Sequence, residues 1–319
     1  LYTQSRFGYL SDTFWLPDTF GYSAAIPQIM RGFGVKYFLT TKLAWNDTNT
    51  FPYETFTWRG IDGTDVLAHF FVMDTWPDPK GLLERVNGVG YRDCLHNKQI
   101  SHQRLIAFGY GDGGGGPCRD HIEYALRERD LEGMPKVEMC SPLEFFEALQ
   151  AKGGPQNTWD GELYFNAHRG TYTTQASVKK NNRLSERALH HMELWGALAA
   201  RHGHPYDAEQ AQRLWKTLLL NQFHDILPGS SIARVYNEAN QALEALQRDA
   251  QTLCTDARRA LLRPVKQDDA VTVFNGLGFA REELVALPQA FAHGAQTAEG
   301  EPVAVCGTQA LVTLPALGA

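Results

Sequence analysis

Between residues 233 and 262, apolar side chains return at alternating intervals of three and four positions: Tyr236, Ala239, Leu243, Leu246, Ala250, Leu253 and Ala257. That rhythm commits the segment to one long amphipathic helix whose stripe must be covered, as in a bundle or a coiled coil. Two further stretches, 176–202 and 207–226, carry helical patterning, and short Gly/Pro turns separate the three. Helices joined in this way close on one another as a small antiparallel three-helix bundle.

Upstream of residue 153 the rhythm is different. Residues 36–41, 66–72 and 105–108 are short apolar, β-rich runs bounded by turn residues, which suits buried parallel strands. Helical stretches lie between and after them, at 24–33, 119–132 and Pro142–Ala151, the last with Ser141 as its N-cap. Strand alternating with helix predicts an α/β domain with a parallel sheet, whose ligands lie at the carboxyl ends of the strands. Asp18 and Asp112 each directly follow a strand-like run. Fewer such runs are visible than an α/β domain usually has, and there is no initiator Met, so the N-terminal part of that domain is expected to be missing. Residues 153–157 read as a linker, and after Pro264 the runs 270–274 and 283–287 predict the opening strands of a β domain.

A net charge of −6 and a pI near 6.0 give no reason to expect nucleic acid or a membrane surface as partner. No apolar run is long enough to span a bilayer, and residues 1–7 do not form a signal peptide. The five cysteines are odd in number and far apart, which predicts reduced thiols in a cytoplasmic protein.

Two strings carry most of the chemistry. Residues 15–23, W-L-P-D-T-F-G-Y-S, place Asp18 in a turn crowded by Phe14, Trp15, Phe20 and Tyr22. In isolation an Asp in such a turn bonds its own backbone; a carboxylate set among aromatic faces suits a sugar site. Residues 221–231, N-Q-F-H-D-I-L-P-G-S-S, place His224 and Asp225 at the end of the 207–226 helix, on one face with Asn221. A bare His-Asp pair there would be a helix-end imidazole and a surface acid, whereas Asp and His together are common zinc ligands. The glycine string 109–117 lacks the Gly-Lys-Ser/Thr of a phosphate loop; its glycines suit a backbone that passes close to a sugar while Asp112 projects into the site. Lys179, Lys180 and Arg183 read as a solvated helix face. His190 and His191 have no partner at metal spacing, and no Ser-His-Asp order or G-x-S-x-G elbow is present.

Both strings resemble the glycoside hydrolase family 38 α-mannosidases, in the cytosolic and bacterial branch that writes them P-D-T-F-G-Y-S and N-Q-F-H-D-I-L-P-G-S-S. The resemblance covers nearly the whole chain and is weakest after residue 265. It implies a multidomain α/β + α + β protein. Residues 1–155 would be the C-terminal part of an incomplete, barrel-like α/β catalytic domain with parallel strands. Residues 156–265 would be the three-helix middle domain, and 266–319 the start of a β-sandwich.

The resemblance also implies a retaining, exo-acting, zinc-dependent α-mannosidase. Asp18 would be both nucleophile and zinc ligand, His224 a second ligand, and Asp225 a partner of the sugar hydroxyls. Asp112 would be the acid/base, although the second carboxylate of the better-known branch is replaced by Gly113. Trp15 would offer the sugar an aromatic face. Lys42 would be a cation near the nucleophile, or else an ordinary surface lysine. Arg169 and Tyr172 would reach the sugar subsite, or else pack an interface between domains. The remaining two zinc ligands belong to an H-x-D motif that this chain lacks, so they are expected upstream of residue 1. The isolated chain would then be catalytically inactive, with residual carbohydrate binding as the alternative reading. The expected partner is an α-mannoside oligosaccharide or glycan, and the full-length enzyme is compatible with a homo-oligomer.

Overall fold

The computed structural model describes residues 2–71, 76–87, 102–111, 115–262, 270–288, 291 and 294–318. It divides into two compact units, Leu1–Thr173 and Thr174–Ala319. The first unit opens with α1 (Tyr2–Phe7), β1 (Thr13–Trp15), β2 (Gly21–Tyr22), α2 (Ile26–Gly32) and β3 (Tyr37–Thr40). It continues with β4 (Thr55–Arg59), β5 (Asp65–Phe70), α3 (Pro79–Asn87), α4 (Arg119–Arg127), α5 (Pro142–Ala151), β6 (Thr158–Asp160) and β7 (Leu163–Tyr164).

Its main sheet has the order β1-β3-β5-β4-β6. The β1–β3 and β3–β5 pairs are parallel, as the alternation of strand and helix predicts. One pair departs from this: β4 runs antiparallel to β5, so the described strands form a row of mixed direction. A tight turn explains the reversal. Gly63 takes φ +84, and the Asp62 carboxylate accepts from both the Thr64 amide (3.0 Å) and the Thr64 hydroxyl (2.7 Å). The run 105–108 is likewise not a strand; only Ile106 makes a single bridge. The first unit also extends past the expected boundary at 155, because β6 pairs with β4 and β7 pairs with β2.

All of β3 is buried, and its side chains alternate between two cores as the two-residue period of a strand requires. Phe38 joins Phe56, Trp58, Ala68 and Leu163 on one face. Tyr37 and Leu39 join Phe71, Phe145 and Phe146 on the other. There Tyr37 stacks on Phe146 of α5 at 4.5 Å and 3°, and its hydroxyl donates to Gln150 Oε1. Ser141 and Glu144 close a reciprocal capping box at the start of α5.

His69, on β5, is fully buried. Its Nε2 accepts from the Leu105 amide, so Nδ1 carries the proton and donates to Thr55 Oγ1 at 2.8 Å. Burial, with help from the Arg104 guanidinium, lowers its pKa from 6.5 to about 3. Between those values the unfolded chain binds a proton that the folded chain refuses. Stability is therefore complete above about pH 6.5 and declines as pH falls toward 3, by on the order of a few kcal/mol. Acid unfolding followed by circular dichroism should show this slope, and His69→Gln, which keeps a donor and an acceptor without the titration, should flatten it.

The second unit contains α6 (Ala176–Ala200), α7 (Ala208–Asn221) and α8 (Ala233–Leu261) around one core. The predicted stripe of α8 is buried, apart from the partly covered Leu253: Tyr236 and Ala239 pack with Val178, and Leu243, Leu246, Ala250 and Ala257 with Leu189, Met192, Trp195 and Leu218. Gln247 fastens α8 to α6 by donating to Asn181 O and Ser185 Oγ, both at 3.2 Å. Asp207 caps α7 by accepting from the Gln210 amide at 2.8 Å. Beyond α8, β8 (Arg281–Ala286), β9 (Ala295–Gln296), β10 (Pro302–Val303), β11 (Val305–Cys306) and β12 (Gln309–Leu314) make small antiparallel sheets. The expected strand at 270–274 is absent. Phe274 instead packs edge-on against Trp195 at 5.0 Å, and the buried Asn275 donates to Phe279 O and Pro315 O. Among the described residues no helix is long and apolar enough to cross a membrane, and the described cysteines are free thiols.

Candidate functional site

Asp18 follows the end of β1, at the carboxyl edge of the parallel pair β1–β3. The turn that carries it is tied to β3 on both sides. Leu16 N donates to Leu39 O at 3.1 Å, and Pro17 O accepts from the amides of Thr41 (3.4 Å) and Lys42 (3.3 Å). From inside, the Tyr22 hydroxyl donates to Leu16 O at 2.6 Å and meets Thr40 Oγ1 at 2.8 Å. Burial pushes the Tyr22 phenol well above its ordinary range, so it stays protonated and keeps donating.

The bland reading of Asp18, a carboxylate bonded to its own turn, does not describe it: its partner is Lys42, with Nζ 3.0 Å from Oδ1. Lys42 lies in the single 3-10 turn that follows β3, and its ammonium also sits 4.0 Å above the Trp45 ring. It is mostly buried and is no ordinary surface lysine. Trp15 stays half exposed, its ring edge-on to Phe71 at 5.4 Å. At the other, amino end of β5, Asp62 serves its own turn and Asp65 pairs with Arg59 at 2.8 Å. Asp112 lies outside the described residues. On either side of it the glycines serve chain closure: Tyr110 N donates to Gly116 O, and a Cβ on Gly109 or Gly115 would meet Pro117 N at 3.0 Å or Tyr110 Cβ at 2.7 Å.

Residues 163–172 close over the Asp18 turn. Gly21 pairs with Tyr164, and a Cβ on Gly21, whose φ is +118, would stand 3.1 Å from Leu163 O. Phe20 packs on Phe165 and His168 at 6.2 and 4.9 Å. Asn46 Nδ2 donates to Tyr164 O (3.2 Å), Asn166 N donates to Asn46 Oδ1 (2.8 Å), and Asp47 N donates to Asn166 Oδ1 (3.3 Å). Tyr172 and Arg169 belong to this segment; Arg169 is exposed and donates to Asn166 O at 3.2 Å. Trp45, Asn46, Tyr164 and Asn166 were not distinguishable by motif, although Trp45 and Asn46 fall in the same short string as Lys42.

In the second unit, His224 and Asp225 do not share a helix face with Asn221. The helix ends at Asn221, and residues 222–228 form successive turns. His224 Nε2 lies 3.5 Å from Asp225 Oδ2, while Ser230 Oγ donates to Asp225 Oδ1 at 3.1 Å. Tyr236 OH donates to Asp225 O at 3.3 Å. Lys179 is not part of a solvated face: it donates to Thr174 O (2.6 Å) and Leu227 O (2.9 Å), and burial pushes its ammonium pKa down. Among the described residues, no group of three or more His, Cys, Asp or Glu comes together that could hold a metal ion. Asp18 belongs to the first unit and His224 to the second.

A strand-end acid held by a lysine, in a turn closed by an aromatic segment, suits a glycosidase, and the sequence comparisons agree. Residues 1–162 match the glycosyl hydrolases family 38 N-terminal domain and residues 166–261 the alpha mannosidase middle domain. The chain belongs to glycosyl hydrolase family 38. It is 40% identical over 315 residues to Alpha-mannosidase 2C1 of Homo sapiens, a match that covers 98% of this chain and 29% of that protein. It is 41% identical over 246 residues to Alpha-mannosidase of Saccharomyces cerevisiae, covering 72% of this chain and 22% of that protein. The chain therefore spans less than a third of the length of these relatives. The crystal structure of an alpha-mannosidase from Enterococcus faecalis V583 superposes with a TM-score of 0.73 at 16% identity, over 100% of this chain and 43% of that one, and so shares its fold.

Proposed function

We propose that the protein carrying this chain is a retaining, exo-acting α-mannosidase that hydrolyses terminal α-D-mannosides through a covalent glycosyl-enzyme. The observation that carries this reading is the Asp18–Lys42 pair at the carboxyl ends of β1 and β3, within a family 38 domain. The Asp18 carboxylate attacks the anomeric carbon as the glycosidic C–O bond breaks. Asp112 gives its proton to the leaving oxygen, then takes one from the water that attacks the same carbon and frees Asp18. Retention requires the two carboxyls to lie about 5–5.5 Å apart. Lys42 holds the nucleophile in position through its 3.0 Å contact. Trp15 offers the apolar face of the sugar a surface, and Asp225, Lys42, Arg169 and Tyr172 are the remaining candidates for contact with the substrate.

Zinc enters as a proposal from the sequence resemblance, with Asp18 and His224 among its ligands. It would supply Lewis-acid character and a grip on the cis diol of mannose. Metal analysis of the purified full-length protein should find zinc, and the His224→Ala variant should lose it. We assign α6–α8 as the middle-domain bundle and β8–β12 as the start of a β-sandwich. The protein is placed in the cytoplasm, which cell fractionation checks.

Proton NMR of hydrolysis tests the function. The first anomer of mannose released from an α-mannoside should be α; release of β-mannose first would overturn retention. Mannose binding without turnover would instead support the carbohydrate-binding alternative. The Lys42→Met variant should lose about 10- to 100-fold in kcat/KM, the order of one charge contact to a reacting group; unchanged kcat/KM would remove Lys42 from the site.

A further inference from the structure

We propose that Tyr164 and Tyr172 form a stacking platform for the second sugar of the substrate, the ring that leaves when the terminal mannoside is cleaved. The proposal rests on the exo-mannosidase reading, since an enzyme that cleaves terminal residues meets every other sugar on the leaving-group side. The two rings lie nearly parallel, 11° apart in plane and 6.1 Å between centroids. They remain 40% and 56% exposed.

Backbone contacts, not burial of the rings, hold this arrangement. Tyr164 is fixed opposite Gly21 by the β2–β7 pair and by the Asn46 side chain, which donates to its carbonyl. Tyr172 ends the 3-10 segment Asn166–Tyr172, in which Thr171 Oγ1 donates to His168 O at 2.6 Å. The Tyr172 hydroxyl lies beside Gly21, 3.6 Å from where a Cβ on that residue would stand. Gly21 belongs to the same turn as Asp18, so the pair is anchored to the element that carries the nucleophile. Each exposed phenol ring offers an apolar face and a hydroxyl at its edge, which matches a pyranose that presents C–H groups on one face and hydroxyls around its rim. Tyrosine loses little side-chain entropy when it binds, so such a surface needs no further ordering.

Two readouts on the full-length protein separate this proposal from the reading beneath it. Hydrolysis of α-mannosyl fluoride, whose leaving group has no ring, tests the enzyme; hydrolysis of α-mannobiose tests the platform as well. Tyr164→Ala should lower kcat/KM for mannobiose by about tenfold, the order of one lost ring contact, and leave the fluoride unchanged, while Tyr172→Ala should cost about tenfold more on mannobiose than on the fluoride. Tyr172→Phe and Tyr164→Phe should stay within about twofold on both substrates, which guards against loss of folding. Equal losses on the two substrates, or no loss on either, would overturn the platform. Saturation-transfer NMR of mannobiose with the Asp18→Asn variant gives an answer independent of turnover. The reducing-end ring protons should receive saturation, and the added Tyr164→Ala and Tyr172→Ala changes should remove it. Saturation confined to the non-reducing ring, or absent from both, would rule the platform out. A native protein inactive on the fluoride would overturn the mannosidase reading alone.

Discussion

In the full-length protein, Asp18→Asn is expected to lower kcat for α-mannosides by about 10⁴-fold or more, the usual scale for removing a covalent nucleophile. The change is isosteric, and the backbone bonds that hold the turn involve Leu16, Pro17 and Tyr22 rather than the carboxylate. The collateral cost is the Lys42 ammonium, left in a mostly buried site without its carboxylate. Because both groups retain some access to water, that cost is about 1–3 kcal/mol. A 10⁴-fold loss corresponds to about 5.5 kcal/mol in the barrier, so loss of folding cannot account for it. Stopped-time assays with thermal melts of the same samples check the result; a loss below about tenfold would give the nucleophile to another residue. Asp112→Asn should discriminate between substrates, with large losses on unactivated mannosides and small ones on aryl mannosides whose leaving group needs no proton.

The second large effect is expected at Gly229, which closes the turn after His224 and Asp225. Its φ is +91, and an added Cβ would stand 2.7 Å from Thr174 O and 2.9 Å from Thr174 Cγ2. Gly229→Ala meets both the conformational penalty and a clash with backbone that cannot swing aside, so it should destabilise the second unit by about 2–4 kcal/mol. Activity should fall with it, because the displaced turn carries His224 and Asp225. Denaturant unfolding checks the first effect. Gly203→Ala, with φ +90 but open space around the Cβ, isolates the conformational part and should cost less.

How much of this was legible in the sequence varied with the range of the interaction that decides each feature. The α8 stripe was fully readable, since every residue in it is set by one helical period, and Leu243, Leu246 and Ala250 are buried as that period requires. The Asp18 turn was readable as a motif, but its engagement by Lys42 was only one of two readings, because a 3.0 Å contact between residues on different strand ends leaves no local trace. The direction of β4 was missed: Thr55–Arg59 looks the same in a parallel or an antiparallel pair, and the deciding signal is the Asp62–Thr64 turn. The early end of α7 was missed as well. Residues 222–227 mix Phe223, Ile226 and Leu227 with Gln222, His224 and Asp225, a pattern that reads equally as a helix end or as the turns they form.

The closure of residues 163–172 over the Asp18 turn has a consequence for the birth of the protein. The Asn166–Asn46 bond joins positions 120 apart, and the β2–β7 pair reaches farther still. A contact of such sequence separation carries a large loop-closure penalty and forms only after its distant partner exists. On a translating ribosome the Asp18 loop would wait on the order of ten seconds for Tyr164 to be made. Until then Gly21 and Phe20 have no strand or ring to rest on. The turn that carries Asp18 is therefore among the last parts of the first unit to be assembled, and a nascent chain arrested before Phe165 would carry Asp18 without the segment that closes on it.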